Sequence, residues 1–137
     1  MIVLLAISWF VGQTKSEQTS LLNLPDHSII ELQLKEQTLK VELVNTPASI
    51  MQGLGGRESL ETDGMLFVFD QPAVQAFWMK AMRFPIDIIW LSNGQIVSVE
   101  RNVQPPLPDT TDDQLEQFTV PSSVNMVLET RPFLIKD

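Results

Sequence analysis

The body of the chain opens with a period of two. Ile30, Leu32 and Leu34 alternate with Glu31, Gln33 and Lys35, and Leu39, Val41 and Leu43 alternate with Lys40 and Glu42. Such alternation turns one face of an extended chain to a core and the other to water, so it predicts two half-buried strands. Glu36-Gln37 is the expected turn between them, although it lacks the Asn-Gly signature of tight hairpins. At Asn45-Thr46-Pro47 the pattern changes. Thr46 suits an N-cap and Pro47 a first helical position, which predicts a short helix over 48–52 closed by Gly53. Gly53, Gly55 and Gly56 predict a tight irregular turn, and 59–62 a further single helical turn.

Continuous apolar runs follow at 64–69, 76–82 and 86–91. Runs of this length without alternation read as strands buried on both faces. Asp70-Gln71-Pro72 is expected to stop the first run and Phe84-Pro85 the second. Asn93-Gly94 predicts a hairpin into a return strand over 95–100. Gln104-Pro105-Pro106-Leu107-Pro108 cannot continue a ladder and opens a loop to about residue 117. Val120 and the run 124–129 give the last strand signal. About seven short strands with one or two short helices predict a mainly β domain, a compact β-sandwich or partly closed barrel.

The first residues follow a different pattern. Residues 1–11, MIVLLAISWFV, are apolar throughout. A membrane span needs about 20 apolar residues, so this run matches the h-region of a secretory signal instead. It lacks a preceding Lys or Arg and a clean A-x-A site, although Gly12-Gln13-Thr14 is small and polar enough for cleavage nearby. The alternative is a buried N-terminal strand or helix. Residues 13–23 are polar, rich in Ser and Thr, and read as a linker with little reason to be ordered. The expected organisation is therefore a signal-like segment and linker over 1–23 and a single β-rich domain over 24–137. Export to the periplasm or exterior follows, with membrane contact only through an uncleaved N-terminal segment.

Composition narrows the chemistry. The 137 residues include no Cys and one His, His27. That excludes disulfides, thiol nucleophiles, Cys-ligated metals and two-His metal sites within one chain. A net charge of −8 opposes nucleic-acid binding, which needs a basic footprint. No pattern calls for a cofactor or a metal.

Several stretches occur together in one order: Gly53-Leu54 with Gly56-Arg57, then 64–69 (GMLFVF), then Phe77-Trp78-Met79-Lys80, then 85–90 (PIDIIW), then Val127-Leu128-Glu129. Over residues 30–129 the chain thus resembles the uncharacterised family called domain of unknown function 192. The resemblance implies a compact β-sandwich with a short helix before the Gly-rich turn, often behind a signal peptide, and no known activity. The chain departs from the family in three places. Ala81 stands where relatives usually have Asn. Leu107 stands where they often have Cys. Pro132 interrupts a tail that in relatives runs on to a final strand, which predicts a C-terminus short of that strand and an unpaired edge.

Asp87 is the most unusual residue, a carboxylate inside an apolar run. A buried charge must be paired or neutralised, and Lys80 and Arg83 just upstream are the expected partners. Asp87 then serves either as a ligand or acid/base group, or as an acceptor for backbone amides of the nearby turn. On a strand, Trp78 and Lys80 would share one face and grip a sugar or an anion, or merely pack. Glu129, Glu100 and Asp87 would meet if their strands are neighbours, an arrangement suited to glycoside hydrolysis or calcium. Arg57 would bind an anion with the Gly-turn amides, or pair with Glu58 or Glu61. Ser122-Ser123 lacks a nearby base, and the acidic loop 109–116 lacks EF-hand spacing. The expected function is an exported, monomeric binding or accessory domain of the cell envelope. Trp78, Lys80, Arg83 and Asp87 would form its surface for a small molecule or envelope component. The alternative is a hydrolase using Asp87 and Glu129.

Overall fold

The structure, a computed structural model, describes residues 4–10 and 15–137. The region where cleavage is expected, around Gly12-Gln13-Thr14, lies outside them. The elements are β1 (Leu4–Phe10), α1 (Lys15–Leu22), β2 (Ile29–Leu34), β3 (Gln37–Val44), α2 (Pro47–Gln52), β4 (Gly64–Ala73), β5 (Ala76–Phe77), β6 (Ile86–Ser92), β7 (Gln95–Val103), β8 (Phe118–Thr119) and β9 (Val124–Thr130). The fold is mainly β, as the patterning predicts. One seven-stranded sheet runs in the order β1-β2-β3-β4-β9-β6-β7, and β5 pairs with β8 in a small second sheet. The large sheet does not close into a barrel.

Its pairing is mixed. β1 with β2 and β3 with β4 are parallel, and the other neighbours are antiparallel. β6 joins β7 through Asn93 and Gly94, both at positive φ, as a type I′ hairpin requires. The β2–β3 turn falls at Lys35-Glu36, with Lys35 at φ 54, one residue before the expected position. Pairing Leu34 with Gln37 keeps Leu32 opposite Leu39 on the core face, and this register fixes the turn.

The central strands are buried on both faces, which explains their unbroken apolar runs. One face carries Leu66, Val68, Ile89, Leu91, Met126 and Leu128, covered by Leu21 of α1 and by Ile135. The other carries Met65, Phe67, Ile88, Trp90 and Val127, covered by Leu54, Met79 and Met82. Gly64 lets β4 and β9 close up, since a Cβ there would sit 2.5 Å from the Glu129 carbonyl oxygen.

Several local expectations are corrected. Residues 15–22 form a helix rather than an unordered linker. Leu21 is fully buried in the core, and the Gln18 amide donates to the carbonyls of Phe69 (3.0 Å) and Asn125 (3.1 Å). Residues 4–10, for which the sequence allows a signal-like segment or an N-terminal strand, lie as a strand parallel to β2. Residues 59–62 are bends, not a helical turn, because Thr62 and Asp63 bond Gly64 and the Lys40 amide instead of continuing a helix. Of the dense run 76–82 only Ala76–Phe77 is strand. The remainder turns back at Ala81, whose φ is 58. β9 is not an edge. It lies between β4 and β6, and the outer strands of the sheet are β1 and β7.

Candidate functional site

Asp87 and Glu129 sit on adjacent strands, with Asp87 opposite Thr130 and Ile88 opposite Glu129. Successive residues of a strand alternate faces, so the two carboxyl groups project from opposite sides of the sheet. They cannot share a substrate, and the expected carboxylate pair is ruled out. Glu100 is opposite Ile88 and exposed, and does not join them.

Asp87 is fully buried and fully occupied. It accepts from the Asn102 amide (2.7 Å), the Phe133 amide (2.8 Å) and Arg101 Nη1 (2.9 Å). Arg101 also donates to the Ile135 carbonyl (2.8 Å) and to Asp137 (2.7 Å). Asp87 thereby clamps β7 and the C-terminal segment over one face of the sheet. Its expected partners lie elsewhere. Lys80 pairs with Asp112 at 2.6 Å, and Arg83 pairs with Glu58. Both reach outward to exposed loop carboxylates because the loop that carries them packs over the opposite face.

Arg57 is also committed. Its guanidinium makes two bonds to Glu42, at 2.7 and 2.8 Å, rather than pairing with Glu58 or Glu61. This fork holds the Glu42 carboxyl below its usual range. His27 Nδ1 lies 2.8 Å from the same carboxylate.

Glu129 is the exception. It is only 4% exposed, and no described residue bonds its side chain; desolvation alone pushes its carboxyl up to about 8. A carboxyl largely withdrawn from water without a compensating partner holds its proton at neutral pH. Trp90 Nε1, on the same face of the sheet, is fully buried without a hydrogen-bond partner.

Glu129 forms part of the wall of a cleft of about 510 Å³. One side is α2. Its start is fixed by Thr46, whose hydroxyl accepts from the Ser49 amide while the Ser49 hydroxyl accepts from the Thr46 amide. Asp26 ties down this cap by accepting from the Ser49 and Thr46 hydroxyls. The Gly turn follows, and Gly56 donates to the Ala81 carbonyl at 2.8 Å. A Cβ on Gly55 would come within 3.0 Å of the Lys80 carbonyl, so the two loops close on each other only with glycine there. Opposite α2, Phe77 stands edge-on to Phe67 (5.0 Å between ring centroids) and to Phe69 (6.3 Å). At the mouth Lys80 Nζ lies 5.2 Å from the Trp78 ring centroid, so these two residues meet although they are not on a strand. Met51, 73% exposed, adds apolar surface to the rim.

Of the residues singled out from sequence, the cleft brings together Trp78, Lys80 and Glu129, and leaves out Asp87, Arg83 and Arg57. Its aromatic wall of Phe67, Phe69 and Phe77 was missed, because such residues read simply as core. The signal that would have found it is their closeness to the Gly turn in a pattern otherwise spaced for strands. Among the described residues no group of His, Asp and Glu is arranged to hold a metal, and no helix is long and apolar enough to cross a membrane.

A family model identifies the family, and none of the similar proteins comes with an established activity. The model of domain of unknown function 192, described as "Uncharacterized ACR", matches residues 29–136. A solved structure of a "putative transcription regulator" from Sinorhizobium meliloti 1021 is similar, at 28% identity and a TM-score of 0.62, over 71% of each chain. A protein of unknown function from Novosphingobium aromaticivorans DSM 12444 also has 28% identity, with a TM-score of 0.60, over 72% of this chain and 66% of its own. No curated protein matches the chain.

Proposed function

The chain belongs to the family of domain of unknown function 192, and from that premise we propose that it is an exported, monomeric module of the cell envelope that binds a small molecule in the cleft over Glu129. The observation that carries this reading is a buried carboxyl with no protein partner at the wall of an apolar, aromatic-sided cavity. Ligand sites are typically concave, mostly apolar, and supplied with a few convergent polar groups. A buried polar group without a partner is costly and is accounted for when a ligand bonds it. The apolar run at 1–11, free of charged side chains, supports export.

Catalysis by a carboxylate pair has no geometric basis here, since Lys80 and Glu129 are the ionisable residues of the cleft. The name of the Sinorhizobium protein suggests transcription regulation. A net charge of −8 counts against DNA as a partner of this chain.

The test is a titration of ¹⁵N-labelled protein with small aromatic alcohols and amines, read by amide chemical shifts. Saturable shifts confined to 47–56, 67–69, 76–82 and 129 are expected. Shifts scattered over the sheet edges, or none, would contradict the reading. For export, the mature N-terminus by mass spectrometry is expected to begin after about Gly12, and an intact Met1 in exported material would contradict cleavage.

A further inference from the structure

Resting on that reading of the cleft, we propose that its ligand is an organic ammonium, an apolar or aromatic body carrying a protonated amine that pairs with Glu129. The side chain leaves few options. A lone carboxyl within aromatic walls either donates its proton to a neutral acceptor or gives it up to face a cation. Three observations favour the cation. The walls are Phe67, Phe69, Phe77 and Trp78, whose ring faces attract ammonium groups. Lys80 shows this at the mouth, where its own ammonium lies 5.2 Å from the Trp78 ring centroid. The net charge of −8 draws cations toward the surface.

The charged groups around Glu129 leave it as the acceptor. α2 carries no ionisable side chain. The 78–82 loop contributes Lys80, which Asp112 already neutralises. On the same face, β3 contributes Glu42 beyond Met65, and that carboxylate is bonded to Arg57 and His27. β6 contributes only Asp87, on the far face and paired with Arg101. β7 contributes Glu100, beyond Ile88 and exposed. From β4, Asp70 is exposed and lies on the far face, in step with Leu66 and Val68.

Binding then has a proton signature. Near neutral pH the free protein holds a proton on Glu129, and the incoming ammonium keeps its own. The Glu129 proton passes to the buffer, and a carboxylate–ammonium pair replaces a neutral acid. Affinity for an amine therefore rises with pH until Glu129 is ionised in the free protein, whereas affinity for a neutral isostere does not.

The experiment is calorimetry with 2-phenylethylamine and 2-phenylethanol as probes. It is run at two pH values below 8, each in two buffers of different ionisation enthalpy, on the wild-type protein and on Glu129→Gln. Expected for wild type are at least tenfold tighter binding of the amine, a rise of about tenfold per pH unit, and release of close to one proton per amine bound. Glu129→Gln is expected to lose the preference and the proton release while still binding the alcohol. Equal affinity for the two probes without proton release would overturn the ammonium assignment and leave the cleft as a site for neutral ligands. Failure of both probes to bind would overturn the assignment together with the binding role. If Glu129→Gln does not fold, proton release and pH slope in the wild type decide the matter alone.

Discussion

Asp87 and Glu129 are diagonal neighbours on β6 and β9 that face opposite ways, one with every oxygen bonded and the other with none. The difference follows from what covers each face. Over Asp87 lie Arg101 and the backbone of Phe133, which donate hydrogen bonds. On the side of Glu129 lie apolar side chains and a cleft. The first carboxylate therefore belongs to the architecture and the second to the site.

Replacing Asp87 by Asn puts an amide hydrogen against one of the amides it now serves and removes the charge facing Arg101. Breaking a buried ion pair from one side costs about 3–5 kcal/mol. Urea denaturation of Asp87→Asn is expected to show a loss of that order. A loss below about 1 kcal/mol, the size of one ordinary hydrogen bond, would contradict the clamp.

The raised Glu129 carboxyl has the opposite linkage to most acidic groups. Between the usual carboxylate range and about 8, the unfolded chain has released this proton while the folded chain retains it. The unfolded state then binds fewer protons, so this group makes stability fall as pH rises, by about 1.4 kcal/mol per unit. Glu129→Gln removes the effect. Its stability advantage over wild type is expected to grow from pH 5 to pH 8 and to level off above, as measured by denaturant midpoints across that range. An advantage independent of pH would count against the burial.

Glu42 works in the ordinary direction. Arg57 holds its carboxyl low, so the stabilisation is present above the unfolded-state value and is lost as pH falls through the folded-state value. Arg57→Met removes both bonds and is expected to cost about 1.5–3 kcal/mol at pH 7. The deficit should shrink in acid, where Glu42 is protonated in both variants. A deficit unchanged at pH 3 would place the effect in packing instead.

Ala81 holds a left-handed conformation, φ 58, which costs an L-residue about 1–2 kcal/mol. Asn tolerates that region far better than Ala. Ala81→Asn is expected to raise the thermal midpoint, by about 2–4 °C for a stabilisation near 0.5–1 kcal/mol. A lowered midpoint would mean that the Ala81 methyl packs in a way Asn cannot match.

Much of this fold was legible where local chemistry decides. Period two marked β2 and β3, Thr46-Pro47 marked α2, and Asn93-Gly94 marked the β6–β7 hairpin. Legibility ended where distant partners decide. Trp78, Met79 and Met82 are apolar because they plug the face of a sheet from a loop, and apolar content alone reads the same in a strand. α1 is polar along most of its length and is held by Leu21 and by Gln18 reaching carbonyls far along the chain. Asp87 was recognisable as buried, but Arg101 and Phe133 become its partners only through topology. Glu129 was recognisable as a candidate. That it has no partner follows from α2 and the 78–82 loop leaving a cleft over it.

Glu129 is a buried carboxyl with no protein partner at the wall of the cleft. Its own titration, followed through the side-chain carboxyl ¹³C resonance and assigned with Glu129→Gln, tests that most directly. A midpoint near 8 is expected in the free protein, moving down when 2-phenylethylamine is added. A midpoint near 4.5, the ordinary value for this group, would contradict it.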